Sequence, residues 1–276
     1  MYTLESKPII SRINADTNSL AKSGEEPHLA VVLIGEDPQS LRYVELKTKR
    51  AKELGILLST YHLPLGTQYA DIEQSVVFLA EDPEVHGIIL QLPLPEFITP
   101  EQTDNLMKLI PLAKDVDGLR GDWAPAGRPP QTIAELLEHA GPSLPPMVCG
   151  VLSLLDEYHV GLEHKNIILV GAGRLVGRPL ERYFKQLGLQ PVVVTEETDH
   201  ILDITRQADI LITGTGQPDL ITYQWVKEGA VVVNCSGDVH EDSVSQVASA
   251  LSPSNGGIGP LTVAWLLHNV ARRAHV

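Results

Sequence analysis

One short stretch constrains the fold of this chain more than any other, because an apolar run passes directly into closely spaced glycines. The run is I-I-L-V at 167–170, the end of a strand predicted at 165–170, and a helical pattern continues after the glycines to about Leu187. Glycines at such a turn let backbone N–H groups approach a phosphate, and the positive end of the helix dipole favours its charge. The spacing, G-x-G-x-x-x-G, is one residue longer than the usual fingerprint. The stretch predicts a dinucleotide-binding loop formed by Gly171, Ala172, Gly173, Arg174, Leu175, Val176 and Gly177.

Glu196 is the candidate residue for choosing between the two nicotinamide dinucleotides. It follows the next predicted strand, at 191–195, where an acidic residue of a dinucleotide fold accepts hydrogen bonds from ribose hydroxyls. A carboxylate at this position repels a ribose phosphate, so the sequence favours NAD over NADP as the cofactor. The alternative is that Glu196 and Glu197 are solvated loop charges.

Strand and helix patterns alternate along the chain, which predicts parallel sheets and an α/β fold. We expect two domains, an N-terminal parallel α/β domain at 1–140 and a Rossmann-like nucleotide-binding domain at 141–259. A last helix at 260–276 is expected to pack back on the first domain, and a linking helix is expected at about 131–139. The predicted strands lie at 29–34, 56–63, 85–92, 165–170, 191–195, 208–213 and 230–234.

Composition excludes several classes of partner. The formal net charge is −14 with no long basic run, which argues against nucleic acids and acidic membranes, since both need clustered Lys and Arg. The N-terminus lacks the features of a signal peptide, and no apolar run approaches the roughly 20 residues of a membrane span. The two cysteines and ten histidines form no metal-binding spacing. We expect a cytoplasmic protein with no metal site and with no nucleic-acid or membrane partner.

Tyr43 and Lys47 are the first candidate pair for catalysis. They lie four residues apart and share one face of a helix predicted at 40–54, with Ser40 as its candidate N-cap. An aromatic ring beside an amine, close to the C-terminal end of a strand, can bind a flat aromatic substrate and exchange protons with it. Such a pair is also typical of a solvated helix face, so both interpretations stay open on these two residues alone.

Gln91 and Asp117 complete the set, and four motifs around these residues follow one another along the chain. They are Tyr43-Val44-x-x-Lys47 after G-E-D-P-x-S, the strand and loop V-H-G-I-I-L-Q-L-P-L-P at 85–95, K-D-V-D-G at 114–118, and G-G-I-G-P-L-T at 256–262. Together they resemble the methylenetetrahydrofolate dehydrogenase/methenyltetrahydrofolate cyclohydrolase family over nearly the whole chain. The resemblance makes the N-terminal domain the catalytic one.

The resemblance implies two activities in one-carbon folate metabolism, on tetrahydrofolate substrates, by a homodimer. Methylene-tetrahydrofolate loses a hydride to NAD or NADP, and the methenyl product is hydrolysed to formyl-tetrahydrofolate. Lys47 is then the acid/base of hydrolysis, which requires a lowered pKa, and Gln91 orients it. Tyr43 stacks on the folate, and Asp117 holds the N–H donors of the pterin. The implied substrate contacts also include Leu92, Pro93, Gly256, Gly257 and Pro260.

The chain departs from the family mainly in the cofactor loop. The family's G-R-S-x-x-V-G is Gly171-Ala172-Gly173-Arg174-Leu175-Val176-Gly177 here, and its His-Ser pair after the next strand is Thr195-Glu196. The lost groups are those that NADP-using members employ around the ribose phosphate. This pattern fits an NAD-using member. The alternatives are a cyclohydrolase without dehydrogenase activity, a non-catalytic folate-binding or assembly protein, and a dehydrogenase of another small substrate.

Overall fold

The computed structural model describes residues 1–120 and 144–275, and these divide into two compact units. One unit contains residues 1–11 and 147–262, and the other contains residues 12–120, 144–146 and 263–275. The linking helix predicted at 131–139 and the domain boundary predicted at 140/141 lie outside the described residues.

Strands and helices alternate through both units. In chain order the described elements are β1 (Tyr2–Thr3), α1 (Lys7–Ser23), β2 (His28–Ile34), α2 (Pro38–Glu53), β3 (Leu57–Leu63), α3 (Tyr69–Glu81), β4 (Gly87–Leu90), α4 (Pro100–Leu109), α5 (Pro146–Glu157), β5 (Ile167–Val170), α6 (Gly177–Gln186), β6 (Val192–Val194), α7 (Ile201–Thr205), β7 (Ile210–Thr213), a 3₁₀ turn (Tyr223–Trp225), β8 (Val231–Asn234), α8 (Glu241–Val244), β9 (Ala250–Leu251) and α9 (Ile258–Arg273).

The first unit is built on a six-stranded parallel sheet in the order β1-β9-β8-β7-β5-β6. The register pairs Val170 with both Val194 and Thr213, so the carboxyl ends of β5, β6 and β7 share one edge. Strands β1 and β9 have two residues each, too short for a periodic sequence signal, and the sequence did not predict them.

The second unit is built on a three-stranded parallel sheet in the order β3-β2-β4. Every residue of the central strand β2 is buried, which explains its continuous apolar sequence. Leu29, Val31 and Leu33 pack on one face with residues of α2 and α9, including Val44, Leu267 and Val270. The opposite face packs against α3 and α4. The predicted α/β class with parallel sheets is confirmed.

Helix α2 begins earlier than the sequence predicted. Its N-cap is Asp37, whose carboxylate accepts the backbone N–H of Ser40 at 2.7 Å, and Pro38 occupies the first turn. The expected N-cap, Ser40, is therefore wrong, because Asp-Pro already supplies an acceptor followed by a residue that needs no N–H partner.

None of the helices in the described ranges combines the length and apolar character that crossing a membrane requires.

Candidate active site

Lys47 is positioned by the β2–α2 connection of the three-stranded unit. Gly35 adopts φ +79° after β2, and Asp37 then fixes the start of the helix, so Lys47 follows about two and a half turns later. The residue is half-buried. The cap fixes where the helix begins, and the helix then sets the position of Lys47 relative to the end of β2.

Gln91 contacts Lys47 directly. It follows β4, and its backbone N–H donates to Val32 O at 2.9 Å, which continues the sheet by one residue. The Lys47 amine donates to Gln91 Oε1 at 2.8 Å, while Gln91 Nε2 donates to Leu92 O at 2.7 Å. The second bond fixes the orientation of the amide, so that its oxygen faces the lysine. An amide oxygen is a neutral acceptor and stabilises the lysine cation less than a carboxylate would.

Asp117 lies in the 111–120 loop, which runs beside β4. Ile88 forms a parallel bridge with Asp115, and its N–H donates to Lys114 O at 2.9 Å. The same parallel direction carries the chain from Asp115 towards the end of β4, where Gln91 lies. Asp117 is close enough to Lys47 for the two charges to interact.

Burial and charge act against each other at this pair. Burial lowers the pKa of Lys47, and the nearby Asp117 carboxylate opposes that change. Burial also raises the pKa of Asp117, against the opposing effect of Lys47. The structure therefore brings together Lys47, Gln91 and Asp117 as an amine with a lowered pKa, a neutral acceptor and a carboxylate. Such an amine can exchange protons closer to neutral pH than an ordinary lysine can.

The other predicted residues of this unit lie around the same strand ends. Tyr43 is 50% exposed, so its ring is accessible to a flat ligand, and it stands one helical turn before Lys47. Leu92 and Pro93, joined by a cis peptide bond, follow Gln91, and Pro93 is exposed.

The glycine loop of the six-stranded unit makes a turn so tight that a residue with a Cβ could not occupy Gly171 or Gly177 without a clash. Gly171 has φ +98°, and a Cβ there would lie 2.8 Å from Gly214 O. A Cβ on Gly177 would lie 1.9 Å from Gly171 O, far inside contact distance. Gly173 O accepts the Arg178 N–H at 3.1 Å, which closes the loop onto the first turn of α6.

The start of α6 suits a phosphate group. Val176 at the N-cap has no side-chain acceptor, and the first turn contains no acidic residue. The Arg178 N–H already donates to Gly173 O and Pro179 carries no N–H, so the first turn offers an anion chiefly the positive end of the helix dipole. Ala172, Arg174 and Leu175 complete the loop, and Leu175 is 43% exposed. The residues present fit the pyrophosphate of a dinucleotide.

Sequence reasoning missed one glycine that shapes this loop. Gly214 follows β7, and a Cβ there would lie 2.4 Å from a methyl carbon of Val176. The available signal was Thr213-Gly214-Thr215-Gly216, a second strand that ends in closely spaced glycines. A glycine is required at 214 because two loops meet there.

Glu196 lies at the same sheet edge as the glycine loop. The Gly171 N–H donates to Val194 O at 2.8 Å, so the end of β6 adjoins the start of the loop. Thr195 and Thr198 then form a turn, with Thr195 N donating to Thr198 Oγ1 at 2.9 Å, and Glu196 is exposed within it. A carboxylate is thus present beside the loop, as the sequence pattern predicts.

Gly256, Gly257 and Pro260 belong to the six-stranded unit. Gly256 O accepts hydrogen bonds from both the N–H and the hydroxyl of Ser6, at 3.2 and 2.6 Å. A Cβ on Gly257 would lie 2.1 Å from Pro253 O, so this position requires glycine. Pro260 is exposed in the first turn of α9. Within the described residues, no three His, Cys, Asp or Glu side chains form a cluster that could hold a metal ion.

These features define a class of protein: an α/β protein with a lysine of lowered pKa in one unit and a strand–glycine loop–helix turn in the other. Two family models match the chain. Residues 4–117 match the catalytic domain of tetrahydrofolate dehydrogenase/cyclohydrolase, and residues 145–276 match the NAD(P)-binding domain of the same family.

Individual relatives agree with the family models. The bifunctional protein FolD of Geotalea uraniireducens is 35% identical, covering 96% of this chain and 94% of its own length. The FolD crystal structure from Campylobacter jejuni superposes with a TM-score of 0.84 at 33% identity, covering 99% and 98% of the two chains. The enzyme of Trypanosoma brucei, solved with NADP and an inhibitor, gives a TM-score of 0.83 at 27% identity, covering 98% and 96%. The chain belongs to the tetrahydrofolate dehydrogenase/cyclohydrolase family, which confirms the resemblance drawn from its four motifs.

Proposed function

We propose that this chain oxidises 5,10-methylene-tetrahydrofolate with a nicotinamide cofactor and hydrolyses the 5,10-methenyl product to 10-formyl-tetrahydrofolate. The observation that carries the proposal is the hydrogen bond between the Lys47 amine and Gln91, beside Asp117. Family membership supports both activities, and the lowered pKa of Lys47 gives the second one a chemical basis.

Lys47 is the general acid/base of the hydrolytic step. Its neutral amine accepts a proton as water adds to the cationic methenyl carbon. The ammonium then returns a proton to the ring nitrogen as the carbon–nitrogen bond breaks. The added hydroxyl loses its proton to solvent as it becomes the carbonyl of the formyl group, which stays on the other nitrogen. Burial favours the neutral amine that the first half of this exchange needs.

Gln91 orients the Lys47 amine, and Asp117 binds the substrate beside it. Gln91 holds the amine through a neutral oxygen, so it orients Lys47 without the strong rise in pKa that a carboxylate at 2.8 Å would cause. Asp117 accepts the amino and ring N–H donors of the pterin as a bidentate acceptor. The ring of Tyr43 stacks on the substrate, and Leu92, Pro93, Gly256, Gly257 and Pro260 complete the proposed contacts.

A bound nicotinamide cofactor would supply the acceptor for the hydride that leaves the methylene carbon. The loop 171–177 would hold its pyrophosphate through backbone N–H groups, and Glu196 would accept hydrogen bonds from the adenosine ribose. Because Glu196 is a carboxylate beside this loop, we propose that NAD is preferred to NADP.

The first experiment measures dehydrogenase activity on methylene-tetrahydrofolate with NAD and NADP side by side. Glu196→Ser should shift the ratio of kcat/KM values towards NADP by about tenfold or more, since a charge that rejects the ribose phosphate is removed. The matched control is Glu197→Ser, which removes the neighbouring exposed carboxylate and should leave the ratio unchanged.

Other outcomes separate the remaining possibilities. If neither NAD nor NADP supports dehydrogenase activity but supplied methenyl-tetrahydrofolate is hydrolysed, the protein is a cyclohydrolase without dehydrogenase activity. Binding of a folate analogue without any turnover identifies a non-catalytic member. Turnover of another small substrate without folate binding identifies an unrelated dehydrogenase.

We also propose a cytoplasmic homodimer. Family resemblance supports the dimer, and the presence of Cys149 and Cys235 as thiols fits a reducing compartment. Sedimentation equilibrium of the purified chain would test the assembly state.

A further inference from the structure

The loop that carries Asp117 contains a second aspartate, Asp115, whose carboxylate is turned inward. Asp115 is 3% exposed, and its Oδ2 accepts the backbone N–H of Arg120 at 3.2 Å. The backbone N–H groups of Gly118 and Leu119 lie close enough to this carboxylate to oppose the rise in its pKa that burial causes. Gly118 has φ +64°, a conformation that other residues rarely adopt. The Asp115 carboxylate therefore faces the turn that follows Asp117 and accepts the Arg120 N–H at its end.

The segment that precedes Asp117 is held by contacts that do not involve the Asp115 side chain. The bridge between Asp115 and Ile88 ties the incoming chain to β4. Asn269 of α9 is 1% exposed, and its Nδ2 donates to Val116 O at 3.0 Å. Asp117 thus stands between a segment held by the backbone and by Asn269, and a turn held by the side chain of Asp115.

The charge of Asp115 is not directed at Lys47. The carboxylate that interacts electrostatically with Lys47 is Asp117, whereas Asp115 interacts with Asp117 and with Arg273 of α9. Lys114, the neighbouring amine, donates to Leu79 O and Asp82 O at the end of α3. The contacts of Asp115 thus reach Lys47 through the loop and Asp117.

We propose that Asp115 is a positioning residue for the hydrolytic reaction, because its carboxylate sets the turn that presents Asp117 to the pterin and to Lys47. This inference rests on the proposed function of the same site. It explains the D-x-D-G order of the motif: the first aspartate shapes the turn, the second faces the site, and the glycine after the second lets the backbone turn back towards the first.

The test is a double-mutant cycle on cyclohydrolase activity, measured with supplied methenyl-tetrahydrofolate. Asp115→Ala removes the acceptor of the turn and should raise KM by about tenfold or more, since small displacements of a binding group are costly. Asp115→Asn keeps one acceptor oxygen and should remain within about threefold of the wild type. In an Asp117→Ala background, Asp115→Ala should have no further effect, because residues that act as a unit are not additive.

The control is Asp209→Asn in the other unit, whose carboxylate likewise accepts a backbone N–H, that of Asn166 at 2.9 Å. This variant should leave KM unchanged. Urea unfolding of each variant fixes conditions in which all are folded, and Asp115→Ser replaces the alanine variant in the cycle if that variant does not fold.

Additive effects of the substitutions at Asp115 and Asp117, or a wild-type KM for Asp115→Ala, would overturn this inference while the proposed function stands. If the wild type shows no hydrolysis, the proposed function fails. The dissociation constant of a folate analogue then replaces KM in the same cycle. Equal binding by wild type and Asp115→Ala, or no binding by either, then overturns the inference as well.

Discussion

Replacing Asp115 by Asn tests the electrostatics of the 111–120 loop, because it removes a buried charge and keeps the shape of the side chain. Burial raises the pKa of Asp115 from an ordinary 3.8 to about 6, against the opposing effect of the backbone N–H groups. A difference of about 2 pH units between the folded and unfolded chain corresponds to about 3 kcal/mol of pH-dependent stability. Among the described residues, Asp117 and Arg273 are charged side chains that interact with this carboxyl.

The sign follows from which protonation state the fold prefers. Since the pKa is higher in the folded state, the contribution of this group to stability is fully present below about pH 4 and is lost as the pH rises through about 6. About 1.3 kcal/mol of the loss falls between about pH 5 and about pH 7. Asn does not titrate, so the free energy of unfolding of the wild type minus that of Asp115→Asn should fall over this range.

The assay is urea unfolding at several pH values, followed by tryptophan fluorescence. Trp265 belongs to the same unit as Asp115, so Trp123→Phe and Trp225→Phe leave a reporter for that unit alone. A difference in unfolding free energy that is flat or rising between about pH 5 and about pH 7 would refute the reasoning.

A second variant should show the opposite sign. The pKa of Asp209 is lowered, mainly by the hydrogen bond from Lys227, so its contribution to stability is lost as the pH falls. Trp225 lies in the same unit as Asp209 and reports its unfolding when the other two tryptophans are replaced. The stability advantage of the wild type over Asp209→Asn should therefore shrink as the solution becomes acidic.

Two further substitutions test the catalytic and cofactor sites. Lys47→Ala should lower cyclohydrolase kcat by about 10²-fold or more without unfolding the chain, whereas Lys49→Ala, on the exposed part of the same helix, should retain activity. Full activity of Lys47→Ala would remove the lysine from the mechanism. Gly177→Ala should abolish dehydrogenase activity and spare hydrolysis, because its Cβ would meet Gly171 O at 1.9 Å. Gly161→Ala, with no atom within 4 Å of the added carbon, should change neither activity, and equal cofactor binding by both alanine variants would contradict the role of the loop.

The sequence anticipated most of the elements because their signals are local. The strands β2 and β4 are mostly continuous apolar runs, and the loop 171–177 has three closely spaced glycines between a strand and a helix. The family followed from four motifs in order. The two-residue strands β1 and β9 were missed, since their pairing depends on residues about 250 positions apart and has no local pattern.

By itself, the sequence determined the α/β class, the family and the identities of the candidate site residues. Each of these follows from local patterns or short motifs, which depend only on residue types at neighbouring positions. Only the tertiary structure decided how those residues act on one another. It set the 2.8 Å bond from Lys47 to Gln91, 44 positions away, and the lowered pKa of that lysine. It also buried Asp115 beneath the turn of Asp117 and required glycine at 214, where two loops meet. Burial and electrostatic coupling depend on neighbours distant in the chain, and the folded backbone alone brings these together.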